Sequence, residues 1–147
     1  MRHCMIKRTS SAVWEGGLKT GKGHVSSERG FLKNTPYNFS GRFEEGTVGT
    51  NPEELIAAAH AACFSMAFSG QLEKVGIAPQ RIETHAALKM EKLDDKMTVT
   101  GIHLTTSVTA PGADKTKFQE AAENAKKGCP ISRLLSNVQI TMDAKLG

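Results

Sequence analysis

Residues 49–70, GTNPEELIAAAHAACFSMAFSG, constrain the chain more than any other stretch, because they allow little except one helix. Asn51 is a good N-cap, Pro52 suits the first helical position where its missing N–H costs nothing, and Glu54 stands where a capping-box acid reaches back. From Leu55 to Phe68 nearly every residue is apolar or Ala, so no polar face is left for water and the helix is expected to be covered on all sides. The apolar run is of the roughly 10–14 residues that mark a core helix rather than a bilayer span. Near its middle sits Cys63.

A chain of 147 residues is long enough to form one domain, residues 1–147, with a proper core and no staples. The net charge of +4 is modest, and Lys and Arg are interspersed with acids instead of gathered in a run. That pattern describes a solvated surface and argues against a nucleic-acid partner. No secretory leader, membrane span or low-complexity tract is recognisable, so a cytoplasmic protein without a membrane partner is expected. Three cysteines, Cys4, Cys63 and Cys129, make neither a secreted disulfide framework nor a clustered metal site. In a reducing compartment they are filler or redox chemistry.

Taken in order, residues 11–16 (SAVWEG) and 23–29 (GHVSSER) are short β-prone runs separated by a glycine-rich hairpin loop. Residues 36–43 (PYNFSGRF) continue the ribbon; period-two alternation would set Phe39 and Phe43 on one face and Arg42 on the other. Residues 44–50 lead into the central helix, which stops at Gly70 or, as its helix-forming Gln71 to Lys74 favour, runs on to Gly76. Residues 81–93 and 96–110 are two long strands joined across Asp94 and Asp95, expected to pair antiparallel. Ala113 or Asp114 caps a second helix, with Phe118, Ala121, Ala122 and Ala125 on its apolar face and Gly128 at its end. Cys129 and Pro130 open a short helical turn, and residues 137–145 alternate as a final strand. The fold class is α+β, with antiparallel sheet wrapped around two principal helices.

Two readings of Cys63 stand: a small core hydrophobe like its Ala neighbours, or an activated thiol. Cys129 supports the second, because Pro130 leaves it as the cap of a helical turn where backbone N–H groups favour a thiolate. One buried cysteine and one at a helix entrance suit an attacking thiol and a resolving partner. Arg42 is either a surface partner of Glu44 or Glu45 or the cation that a working thiol needs, since free Cys has a pKa of about 8.5 and burial raises it. In the second reading Glu53 orients the guanidinium. Ten residues of helix, on the order of 15 Å, separate Glu53 from Cys63, too far for both to touch one guanidinium within a chain. The spacing hints that Glu53 serves a second subunit. His60 is a base, a metal ligand with Cys63 and Cys129, or a satisfied core imidazole; the metal reading lacks a fourth ligand, and no metal or other cofactor is expected.

Three separated motifs, PYNFSGRFE, TNPEELIAAAHAACFSMAF and AKKGCPISRLL, together resemble the OsmC and Ohr family of hydroperoxide peroxidases, on its OsmC branch. The resemblance runs from AVWEG to the last strand. His60 to Cys63 in the form HAAC leans towards OsmC, since a Tyr is more usual before the cysteine in the Ohr branch. Only Cys4 and its N-terminal surroundings fall outside the pattern.

The resemblance implies a thiol peroxidase in which Cys63 attacks the hydroperoxide, Cys129 resolves the sulfenic acid as a disulfide, Arg42 activates the thiol and Glu53 holds the arginine. It implies an intertwined homodimer with active sites at the subunit interface, and a recycling dithiol of the lipoyl type. Phe39, Phe43, His60, Phe64 and Met66 are the candidates for a pocket that prefers an organic hydroperoxide to hydrogen peroxide.

Overall fold

The computed structural model describes residues 5–45 and 49–147; Cys4 lies outside the described residues. The chain falls into two compact units, Met1–Leu55 and Ile56–Gly147.

In the first unit, β1 (Ser10–Glu15), β2 (Lys22–Ser27) and β3 (Thr35–Tyr37) form an antiparallel sheet in that order. Gly23 is a close approach within the ribbon: a Cβ there would meet Val13 O at 2.5 Å and the rings of Tyr37 and Trp14 at 2.7 and 2.8 Å. Those two rings pack with centroids 5.5 Å apart. The ribbon then ends sooner than the period-two pattern predicts. Residues Ser40–Phe43 are a short helix, α1, whose first turn is closed by Asn38 Oδ1 accepting from the Gly41 N–H at 2.7 Å. Phe39 and Phe43 do come together, at 4.9 Å between centroids, but as helical neighbours four residues apart.

The first long element, α2 (Pro52–Lys74), begins in the first unit and runs into the second. Asn51 Oδ1 accepts from the Glu54 N–H at 2.7 Å, as an N-cap should. At the other end, Gly76 takes φ +79° and the Ile77 N–H returns to Leu72 O, the left-handed stop that glycine permits. The longer version of the helix is therefore the observed one. All-round burial is not observed: His60, Phe64, Phe68 and Leu72, one stripe at four-residue spacing, are buried, whereas Ile56 and Met66 stand open. Within the chain only this stripe of α2 is fully covered. The expectation from length also changes. At 23 residues α2 is long and apolar enough to cross a membrane; its buried stripe instead packs on protein.

What it packs on is the core of the second unit. There β4 (Arg81–Leu93) and β5 (Lys96–Thr109) form an antiparallel hairpin turned by Asp94 and Asp95, with φ of 49° and 61°. On β5, Ile102, Leu104, Thr106 and Val108 are buried in alternation, which leaves the other face of the strand open. Helix α3 (Lys115–Gly128) is capped by Asp114, whose Oδ1 accepts from the Lys117 N–H at 2.9 Å. It turns Phe118, Ala121, Ala122 and Ala125 into the core, the four residues its periodicity selects. Phe118 meets Phe68 at 5.4 Å, and Phe68 meets Phe64 at the same separation. A five-residue helix, α4 (Pro130–Leu134), follows, and β6 (Gln139–Leu146) closes the sheet.

One strand departs from expectation. β6 pairs with β5 in parallel, Ile102 opposite Ile140 and Val108 opposite Leu146. A parallel neighbour needs a long crossover, and α3 and α4 supply it. The fold class remains α+β, with one antiparallel and one mixed three-stranded sheet.

Candidate active site

Two clusters of candidate side chains emerge, one in each unit. In the first, Arg42 and Glu53 pair: Arg42 Nε donates to Glu53 Oε1 and Oε2 at 3.1 and 3.2 Å, and Arg42 Nη2 donates to Oε1. Glu53, rather than Glu44 or Glu45, is the carboxylate that takes the guanidinium. Hydrogen bonding to Glu53 raises the Arg42 pKa above its usual value, so the side chain is a permanent cation. Asn51 Nδ2 donates to Gly41 O at 3.3 Å, tying α1 to the start of α2 and so helping to set where the pair forms. The Phe43 ring lies under the guanidinium at 5.6 Å. Arg42 also edges a cavity of about 230 Å³ whose walls are Trp14, Leu18, Tyr37, Asn38, Phe39 and Pro52. An apolar recess with a single fixed cation suits a small, mostly apolar molecule that carries or develops negative charge.

In the second unit, Cys63 of α2 is half-buried and Cys129 is fully buried, and both are free thiols. Cys129 caps α4 as its sequence position suggests: its Sγ accepts from the Ser132 N–H at 3.3 Å. Burial pushes the Cys63 thiol up; a hydrogen bond from the Ile131 backbone opposes this, and the neighbouring Cys129 sulfur raises it further. The two sulfurs are thus neighbours, although 66 residues separate them in sequence. Left to burial and Cys129 alone, Cys63 is a protonated, unreactive thiol at neutral pH.

His60 is fully buried, and its Nε2 lies 2.7 Å from Ser132 Oγ. Burial pushes its pKa below the usual 6.5, so the imidazole is neutral at pH 7. It is a core residue rather than a cavity wall, but not a satisfied one, since its Nδ1 has no hydrogen-bond partner among the described residues. Phe64 is likewise fully buried, and Met66 is 78% exposed on the opposite side of the stripe. Of the five residues expected around a substrate, only Phe39 lines the Arg42 cavity, with the Phe43 ring tilted against that of Phe39. The reason is the α2 stripe: four-residue spacing sends His60 and Phe64 inwards and leaves Met66 outside. Sequence reasoning missed Ser132, which touches both His60 and Cys129, and the Trp14 and Tyr37 walls. The lone Trp beside a β-turn was the available signal for the walls, whereas a Ser in PISRL carries none. Among the described residues no group of three His, Cys, Asp or Glu side chains is placed to hold a metal.

An α+β chain with two neighbouring thiols on adjoining helices, and an arginine fixed by a glutamate beside an apolar recess, belongs to the thiol-redox class. The sequence model of the family described as OsmC-like protein matches residues 44–143, and the chain belongs to that family. It is similar to Peroxiredoxin OsmC of Escherichia coli K12, at 48% identity over 141 residues, covering 96% of this chain and 97% of that one. Organic hydroperoxide resistance protein OhrB of Bacillus subtilis is 31% identical over 84% of this chain and 89% of its own. The crystal structure of OhrB superposes with a TM-score of 0.70 at 28% identity, covering 93% of this chain and 98% of that one.

Proposed function

We propose that this chain is a thiol peroxidase that reduces organic hydroperoxides, and hydrogen peroxide less efficiently, as protection against oxidative stress. The observation that carries the proposal is the free Cys63 thiol held beside the free Cys129 thiol. The names of the similar proteins, a peroxiredoxin and an organic hydroperoxide resistance protein, agree with it. The whole chain acts as one OsmC-like domain in the cytoplasm.

In the proposed cycle, the Cys63 thiolate attacks the O–O bond and displaces an alkoxide, leaving a sulfenic acid on Cys63. Arg42 supplies the positive charge that burial of Cys63 makes necessary, stabilising first the thiolate and then the departing oxygen. Glu53 fixes that guanidinium by the bonds described above. Because the arginine is held by Glu53 of its own chain, about 15 Å of helix from Cys63, the cation serves the Cys63 of a second copy. The functional unit is therefore a homodimer with active sites at the subunit interface, and the open side of α2 is the surface a second copy covers. Cys129 condenses with the sulfenic acid, and an external dithiol of the lipoyl type reopens the disulfide. Phe39 and the apolar walls beside Arg42 favour the organic substrate.

Peroxide consumption in the presence of dihydrolipoamide tests the proposal. An enzyme turns over many times, whereas a redox sensor with the same disulfide stops after one equivalent. Equal kcat/KM for tert-butyl hydroperoxide and hydrogen peroxide would remove the substrate preference while leaving the peroxidase.

A further inference from the structure

Behind the two cysteines lies a hydrogen-bonded chain that the peroxide chemistry above does not use. Cys129 Sγ donates to Ser132 Oγ at 3.3 Å, and Ser132 Oγ lies 2.7 Å from His60 Nε2. All three side chains are buried. If Ser132 accepts from the thiol, its own hydrogen points to Nε2, and the neutral imidazole carries its hydrogen on Nδ1. Every donor then has a direction, from sulfur to hydroxyl to ring. Nδ1 is buried with no hydrogen-bond partner among the described residues, so the single polar contact of this imidazole is the one to Ser132. Burying a ring nitrogen unpaired is costly, and an apolar side chain would fill a core position on α2 without that cost. The expense is explained if the ring has work to do through Nε2.

We propose that His60, acting through the Ser132 hydroxyl, takes the proton from the Cys129 thiol as that sulfur attacks the sulfenic acid on Cys63. The proposal rests on the reading of Cys129 as the resolving sulfur. In the step, a bond forms between the Cys129 and Cys63 sulfurs while the Cys63 S–O bond breaks; Cys129 is oxidised, the Cys63 sulfur is reduced, and hydroxide departs. The Cys129 proton moves to Ser132 Oγ as the Ser132 proton moves to His60 Nε2. The imidazolium then returns a proton by the same route, the hydroxide leaves as water, and His60 ends neutral. The oxidising equivalent is the one the hydroperoxide delivered to Cys63. The Ser132 N–H that already bonds Cys129 Sγ is placed to hold the anion as it forms. His60 is thus a positioning residue for proton movement, one hydroxyl removed from the reacting sulfur.

Single-turnover oxidation of the full chain with tert-butyl hydroperoxide, quenched with a thiol-alkylating reagent and read by intact mass, separates loss of the Cys63 thiol from appearance of the disulfide. Ser132→Ala and His60→Gln are each expected to lower the ratio of the second rate to the first by about tenfold or more. Ser132→Thr, which keeps the hydroxyl, should restore the ratio to within about threefold, which ties the effect to the hydroxyl; a purely structural loss would not slow the second step selectively over the first. Ser132→Ala adds no bulk, so the test stands even where the histidine variant folds poorly. A ratio in Ser132→Ala within about twofold of wild type overturns the relay. Wild-type protein that never forms the Cys63–Cys129 disulfide overturns the resolving assignment itself, a result distinct from an intact disulfide formed at unchanged rate without Ser132.

Discussion

Arg42 and Glu53 meet side-on, with Arg42 Nε shared between the two carboxylate oxygens at 3.1 and 3.2 Å. The guanidinium side chain is 37% exposed and the carboxylate 15%, so water and salt screen the pair, and its worth to stability is within about 1 kcal/mol. Its value lies in direction. A guanidinium held along one edge keeps its remaining N–H groups aimed one way.

Glu53→Gln should therefore separate activity from stability. Steady-state kcat/KM for an organic hydroperoxide is expected to fall by roughly 10- to 100-fold, while the denaturation midpoint moves little. Arg42→Ala should go further and slow alkylation of Cys63 by iodoacetamide at neutral pH, because burial then sets the thiol pKa unopposed by that charge. An unchanged alkylation rate would remove Arg42 from the mechanism.

The two cysteines differ in what their loss does. Cys63→Ser is expected to abolish peroxide consumption. Cys129→Ser is expected to react once and then gain two or three oxygens on Cys63 under excess hydroperoxide, a mass change that intact-protein spectrometry reads directly.

His60 links stability to pH. Its folded-state pKa is pushed below 6.5 by burial, so between that lowered value and 6.5 the unfolded chain binds more protons than the folded one. This contribution is intact above 6.5 and is lost as pH falls through the window, at no more than about 1.4 kcal/mol per pH unit. Thermal denaturation between about pH 5 and pH 7.5 should show this slope in wild type and a shallower one in His60→Gln.

Phe68 joins Phe64 to Phe118 and is fully buried. Phe68→Ala should cost about 3–5 kcal/mol and lower Tm by roughly 10 °C or more. A shift of only a degree or two would mean that the α2 to α3 packing contributes little.

Much of this architecture is legible in the residues. Asn51 and Pro52 fix where α2 starts, Gly76 where it ends, and Asp114 with the spacing of Phe118 to Ala125 fixes α3 and its buried side. Cys129 can be placed as a cap because Pro130 follows it. The α1 turn was hidden because four residues, SGRF, are too few to distinguish a period of 2 from one of 3.6. The parallel course of β6 was hidden because side-chain alternation is the same in either direction; the two helices before it were the unused clue. Ser132 was missed because its importance lies in contacts with His60, 72 residues away, and with the Cys129 sulfur.

The parallel pairing of β5 and β6 bears on the proposed redox cycle. The span that carries Cys129 leaves one strand and returns to the strand beside it, so it is tethered at both ends to the same rigid platform. Its α3 portion is further nailed down by Phe118 and three alanines. In the proposed cycle the second sulfur is thus held on a doubly anchored segment rather than on a free arm. Oxidation and reduction in that cycle would then need only rotation of side chains and small adjustments of the five-residue α4, each round beginning with both sulfurs already in company.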